Sequence, residues 1–419
     1  MSYIETAQKA VKDLEKMGAS EAEAYIQKNS EMIISVQGGT WSKRKKEDTC
    51  IGIRTIKNKK KGFAAGTIPM CSLQKIEKAS LTLCENNVAD PGWEHLPYKK
   101  VYTYPEGIYD KKIAEMREEK VLHYVQELVN MKGDVHCMFQ VVQVAIVNSH
   151  GVQGEYTGTG TDGVISQNGN TASAEWHSRS FKKIEDVIPE PRKVYKEISH
   201  LDHGFCGDAL FLADALVFIL APCLQWLTDA ENVYNGRTQF KKGDKIADSG
   251  VTVYDNGLLS GGIRSAPFDG EGNPMQETSI IEKGIFKNVL HSEYTAHKYN
   301  ESSTGNALRS ATREPTIGFS NVVVEPGEYS IQELIKKIDT GVLVKEFVGD
   351  VDPSGGYFNG RATGSYVKGG EIECDINHFH VKGNIFECLN QVVGMGKDQC
   401  CTHDGVYAVP ILVSGVEIM

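Results

Sequence analysis

The sequence has no Cys-x-x-Cys pair, no His-Glu-x-x-His or His-Glu-x-x-x-His segment, no internal repeat and no coiled-coil heptads. The first two absences remove the common zinc-ribbon spacing and the helix-borne histidine pair with an adjacent glutamate base. Long apolar runs are missing as well. The longest, Ala215 to Leu224, is closed by Asp214 and Gln225; a span needs about 20 apolar residues, so this run reads as a buried helix over 209–227 and no membrane partner is expected. Positive charge is in deficit, with 45 Lys and Arg against 55 Asp and Glu and a formal net charge of −10. That balance argues against general polyanion binding, which rests on clustered Lys and Arg. The segment Ile4 to Met17 carries charge throughout, so no apolar secretory core is expected there. The ten cysteines are scattered, which fits reduced thiols and a cytoplasmic location better than a disulfide framework.

What is present is a chain of 419 residues, long enough for two or three domains, with 42 glycines concentrated after position 150. Ile4, Ala7, Val11, Leu14 and Met17 recur at helical spacing and stop at Gly18. Strands are predicted at 23–28 and 31–37, then a hairpin from 50–56 to 62–67, then a helix over 73–84. Residues 90–107 read as a linker, 111–129 as an amphipathic helix, and 138–147 as a strand. Pro189-Glu190-Pro191 closes that part of the chain. The domains expected are therefore 1–100 (α+β), 108–192 (a helix plus strands) and 195–419 (β-rich). Ser330 and Glu333 form a capping-box pattern before a helix over 330–338. The fold class is α+β: an N-terminal helix-and-strand region followed by a largely antiparallel, β-rich C-terminal domain.

Several local patterns suggest chemistry. Gly158-Thr159-Gly160-Thr161-Asp162-Gly163 fits the dinucleotide fingerprint, but strand-and-turn residues follow it where a helix is needed. Lys43 to Lys46 and Lys57 to Lys61 are basic clusters at hairpin ends, where lysine also guards sheet edges. Cys374, His378 and His380 would share one face of a strand and could meet a metal; Ile376 on the same face favours ordinary packing. Cys400 and Cys401 with His403 suggest a nucleophile, yet residues two apart on a strand point alike and no orienting group is near.

The most distinctive stretch is Gly257 to Arg309. It contains Arg264-Ser265-Ala266-Pro267-Phe268-Asp269-Gly270-Glu271-Gly272-Asn273-Pro274, then Thr278 to Gly284, then Ser303-Thr304-Gly305-Asn306-Ala307-Leu308-Arg309. The first block is turn-rich, the second is a strand entering a tight turn at Lys283-Gly284, and the third is a loop of small residues with exposed amides. With the Gly18-Ala19 entry and the Gly52-Ile53-Arg54 strand before Gly62-Phe63-Ala64, this order resembles the TldD/PmbA family, once called modulators of DNA gyrase.

The resemblance implies dimers around an internal cleft and, in the TldD type, zinc-dependent cleavage of unstructured peptides. The HExxxH positions of that type would fall on Ile219, Leu220 and Leu224, and its C-terminal Gly-Met-Cys-Gly loop on Gly394-Met395-Gly396-Lys397. Neither set can ligate zinc. The resemblance is therefore to the PmbA (TldE) type, for which no catalytic or metal residue is expected in this chain. Zinc is expected instead in a TldD-type HExxxH partner, forming a heterodimer, with self-association into a homodimer as the other arrangement. Phe268, Asp269, Glu271, Ser303, Thr304 and Asn306 are the candidates for lining a peptide cleft. Two other functions remain open at this point: an independent hydrolase using Cys400 or Cys401 with His403, or a metal at His378 and His380; and a gyrase- or nucleic-acid-associated binding protein.

Overall fold

The computed structural model describes residues 2–131, 133–167, 172–187, 195–198, 201, 203–402 and 405–419. The chain forms two compact units. The first takes Met1–Arg192, Gly257–Gln276 and His291–Ser320, and the second takes Lys193–Asn256, Glu277–Leu290 and Asn321–Met419. Segments 1–100 and 108–192 thus share one unit, while 195–419 contributes to both.

In the first unit, α1 (Tyr3–Lys16) opens on a capping box in which the Ser2 side chain accepts from Glu5 N and the Glu5 carboxylate accepts from Ser2 N. Its buried stripe, Ala7, Ala10, Val11 and Leu14, packs with Ala22, Ala24 and Ile26 of β1 (Glu21–Gln37). The same core takes Ile51 and Ile53 of β2 (Thr40–Lys57) and Ile76 of α2 (Leu73–Asn86). β3 (Lys60–Thr67), β4 (Gly133–Asn148), β5 (Gln153–Gln167) and β6 (Ala172–Ser178) complete an antiparallel sheet in the order β3-β2-β1-β4-β5-β6. β1 is one strand where two were predicted. Asn29 and Ser30, between the two predicted strands, sit in register with Asp48 and Glu47 of β2 and with Val142 and Val141 of β4, so ladders on both sides carry the chain through.

Two other expectations change. The helix over 111–129 is divided into α3 (Lys111–Ala114) and α4 (Glu118–Asn130), because Arg117 between them is extended. Val121, Val125 and Leu128 of α4 still form its buried face, against Ile34, Val135 and Phe139. Residues 90–107 carry no regular element beyond turns, yet they are no loose linker: Trp93 and Leu96 are buried.

In the second unit, one sheet runs in the order Val392–Met395, Ile411–Ile418, Phe205–Phe211, Thr340–Val351, Tyr357–Lys368, Glu371–Asn384, Glu197–Ile198. It is antiparallel except where Phe205–Phe211 meets Thr340–Val351 and Glu197–Ile198 meets Glu371–Asn384. A second, smaller sheet contains Val253–Asn256, Glu277–Glu282 and Val322–Val324. Its hairpin turns at Lys283 (φ 48°) and Gly284 (φ 77°), the positive-φ pair that a two-residue hairpin favours. The predicted capping box is present, Ser330 opening the helix Ile331–Ile335. The apolar run forms α5 (Ala213–Thr228), and among the described residues no helix is long and apolar enough to cross a membrane.

Candidate functional site

Alternation along β1 builds the site. Ala22, Ala24 and Ile26 face α1, so Glu21, Glu23 and Tyr25 face the other way, and all of them are buried. That second face is covered by loops from Gly257–Gln276 and His291–Ser320. The loops approach closely because the sheet presents glycine. A Cβ on Gly52 would stand 2.2 Å from the Ala311 carbonyl oxygen, and one on Gly154 would stand 2.6 Å from the Phe268 ring.

Four charges lie beneath the loops. Glu23 and Arg54 are cross-strand partners, with Arg54 Nη2 donating to Glu23 Oε2 at 2.8 Å. Arg54 Nη1 donates to Glu271 Oε1 at 2.8 Å, and Arg309 Nη1 to Glu23 Oε1 at 2.5 Å. All four side chains are 3 % exposed or less. Two guanidinium groups against two carboxylates leave no net charge, which is what makes ions in an interior tolerable. Arg309 Nε and Nη2 and Arg54 Nε lack hydrogen-bond partners. Aromatic faces stand in for them, with Arg309 4.7 Å over Tyr25 and Arg54 5.7 Å over Trp93.

Asp269 holds the loops to one another. Its Oδ1 accepts from the amides of Glu271 and Asn273, and its Oδ2 from the amide of Ala307, at 2.9 to 3.1 Å. Burial and the neighbouring Glu271 carboxylate push its pKa up, while the three amides pull it back. Glu271 in turn accepts from Glu293 N at 2.8 Å. Phe268 is buried against Tyr102 and Tyr156. Ser303 and Thr304 donate to the His291 carbonyl, and Asn306 Nδ2 donates to the Gly318 carbonyl at 3.1 Å. The six candidates therefore gather in one unit, each engaged in fixing a loop. Phe268 and Asp269 also line a cavity of about 950 Å³, with Tyr25, Arg179, Arg264 and Arg313.

Glu23 and Arg54 were not singled out as site residues from sequence. The available signal was acidic residues alternating with apolar ones in a strand buried on both faces.

The remaining patterns resolve individually. The glycine-rich segment 158–163 lies inside β5, without the following helix a pyrophosphate would need; residues 168–170 lie outside the described residues. Among the basic clusters, Lys43 pairs with Glu118, Lys46 with Asp48, Lys57 with Glu85 and Lys61 with Glu314. Cys374 and the two histidines do not share a face. A bulge between the pairs Phe379–Ala362 and Ile376–Gly364 shifts the alternation, so Cys374 is buried with Ile376 while His378 and His380 are exposed. Desolvation and the Asp214 and Asp398 carboxylates push the Cys400 thiol up, the opposite of an activated nucleophile; His403 lies outside the described residues.

Ile219, Leu220 and Leu224 lie on α5 with exposures of 0 %, 1 % and 0 %. They offer no donor atom, so zinc does not fit there. Met395 ends a short strand and Gly396 N donates to the Pro410 carbonyl, with no thiol in that loop. Among the described residues, the group whose donor atoms do converge is Glu94, His95 and His297.

Comparison with known proteins agrees with the fold. Residues 208–419 match the family described as the PmbA/TldA metallopeptidase C-terminal domain. The protein MJ0231 of Methanocaldococcus jannaschii is 25 % identical over 358 residues, covering 82 % of this chain and 83 % of that one. The metalloprotease PmbA homolog of Buchnera aphidicola subsp. Acyrthosiphon pisum is 27 % identical, covering 73 % and 69 %. The crystal structure of TldE from Thermococcus kodakarensis superposes with a TM-score of 0.85 at 22 % identity over 99 % of both chains, a likeness of fold. With the family match covering half of its residues, the chain belongs to the PmbA/TldD family.

Proposed function

We propose that this chain is a non-catalytic, PmbA/TldE-like subunit of a cytoplasmic zinc metallopeptidase complex. It pairs with a TldD-type chain that carries HExxxH and the zinc, completes the walls of the chamber and helps hold an extended, unstructured peptide. The observation that carries this reading is the aliphatic set Ile219, Leu220 and Leu224, buried where a catalytic relative would place its ligands and base. The missing cysteine in Gly394-Met395-Gly396-Lys397 supports it independently.

An extended peptide would lie in the 950 Å³ cavity lined by Tyr25, Phe268 and Asp269, held through its backbone. Backbone hydrogen bonds to a peptide accept many sequences, as an enzyme of unstructured peptides requires.

Co-expression with a TldD-type chain, followed by a peptidase assay on each subunit and on the mixture, tests the proposal. Cleavage should need both chains. Cleavage by this chain alone, or a partner whose rate ignores its presence, would defeat it.

A further inference from the structure

Glu94, His95 and His297 each bring a ligand atom to within 4.8 Å of the others. The pair Glu94-His95 is fixed from both sides by one carboxylate. Trp93 Nε1 donates to Glu21 Oε1 at 3.0 Å, and Leu96 N donates to Glu21 Oε2 at 2.6 Å. His150 Nε2 lies 2.8 Å from the same Oε2, closing the support from the β4–β5 turn. The segment 93–96 is therefore an anchored corner of the first unit.

Each imidazole has one nitrogen held by a neighbour. His95 Nδ1 lies 2.8 Å from the Leu96 carbonyl oxygen. Since a carbonyl can only accept, that nitrogen carries the proton, and Nε2 keeps its lone pair. His297 comes from the helix Glu293–Lys298, its ring centroid 4.2 Å from that of His95 at 63°. Glu293 stands one turn before it, with Oε1 3.4 Å from His297 Nε2, a carboxylate behind a ligand imidazole. Glu94 is exposed and can move, so separations of up to 4.8 Å can close to the about 3.4 Å that tetrahedral zinc imposes on neighbouring ligands.

We propose that Glu94, His95 and His297 form a binding site for a divalent transition metal of the zinc class, with one position left to water. Two imidazoles and a carboxylate select zinc or cobalt over calcium or magnesium, which take oxygen ligands. The site uses no residue of α5, so it goes beyond the pairing reading and stands or falls without it. It departs from the expectation that this chain binds no metal.

The test is titration of the full-length chain, free of any histidine tag, with Co²⁺, read by visible absorption. One Co²⁺ should bind with ligand-field bands and no thiolate charge-transfer band. Glu94→Gln, His95→Gln and His297→Gln should each weaken binding at least about tenfold, and His378→Gln should leave it unchanged. Glu94 is exposed, so Glu94→Gln keeps the test valid even if a histidine variant fails to fold. No uptake by the unsubstituted chain, equal affinity in Glu94→Gln, or a thiolate spectrum abolished by cysteine alkylation would each overturn the proposal.

Discussion

The interior of the first unit and helix α5 of the second treat charge in opposite ways. Beneath the Gly257–Gln276 loop, Glu23, Arg54, Glu271 and Arg309 are all buried, and each carboxylate meets a guanidinium. At the α5 turn, where the proposed reading puts the zinc-binding type's two histidines and glutamate, Ile219, Leu220 and Leu224 are equally buried and wholly aliphatic. Burial alone does not decide whether charge persists. Partners do. A four-membered network with aromatic faces over its spare N–H groups can stay in the interior, while a ligand set without its ion would leave donors and acceptors unmatched. On the proposed reading, that is the division a chain needs if it shapes a chamber and leaves the metal chemistry to a partner.

The comparison can be broken at its charged end first. Glu23→Ala leaves Arg309 with the Gly270 carbonyl as its hydrogen-bond partner and takes one carboxylate from Arg54, so it should cost about 3–5 kcal/mol in urea denaturation. A loss below about 1 kcal/mol would mean that the network does not hold the loops. At the aliphatic end, Leu220→Glu buries a carboxyl with nothing to meet it. Burial raises the folded-state pKa of such a group, so the cost should be roughly 3 kcal/mol at pH 7 and smaller at pH 4, where the carboxyl is protonated. Wild-type stability at pH 7 would show that the α5 turn has a polar environment after all.

The smallest effect concerns His177. Burial lowers its pKa, but hydrogen bonds with Asp162 (2.8 Å) and Glu175 (3.1 Å) more than offset that and raise it to about 9. A histidine with a raised folded-state pKa stabilises fully below its unfolded value and loses that contribution as pH climbs to the folded one. His177→Gln should therefore lose on the order of 1–2 kcal/mol at pH 6, with the difference fading as pH passes 9. A difference that stays constant from pH 6 to 10 would refute the ionic role.

Much of this was legible in the sequence where the cause is local. The periodicity of Ala7, Val11 and Leu14 gave α1, the Lys283-Gly284 pair its hairpin and Ser330 with Glu333 a cap, because each rule acts within one or two turns of chain. What the sequence hid has distant causes. Nothing near Asn29-Ser30 says that ladders on both flanks will carry a strand through it. The composition of 90–107 resembles a linker, and residues distant in sequence, Glu21, Asn148 and Lys59 among them, make it a fixed corner. The bulge near 377–378 undid a face assignment that strict alternation supported. In the candidate site, the loop residues were visible as a block, but their partners Glu23 and Arg54 lie in strands at the other end of the chain. Glu94-His95 and His297 likewise meet only in space.

The most direct measurement of the central claim is the peptidase rate of this chain alone, of a TldD-type chain alone, and of the two co-purified. The account predicts measurable cleavage of an unstructured peptide only in the third sample. Turnover by this chain alone, surviving substitution of the partner's zinc ligands when the two are mixed, would contradict it.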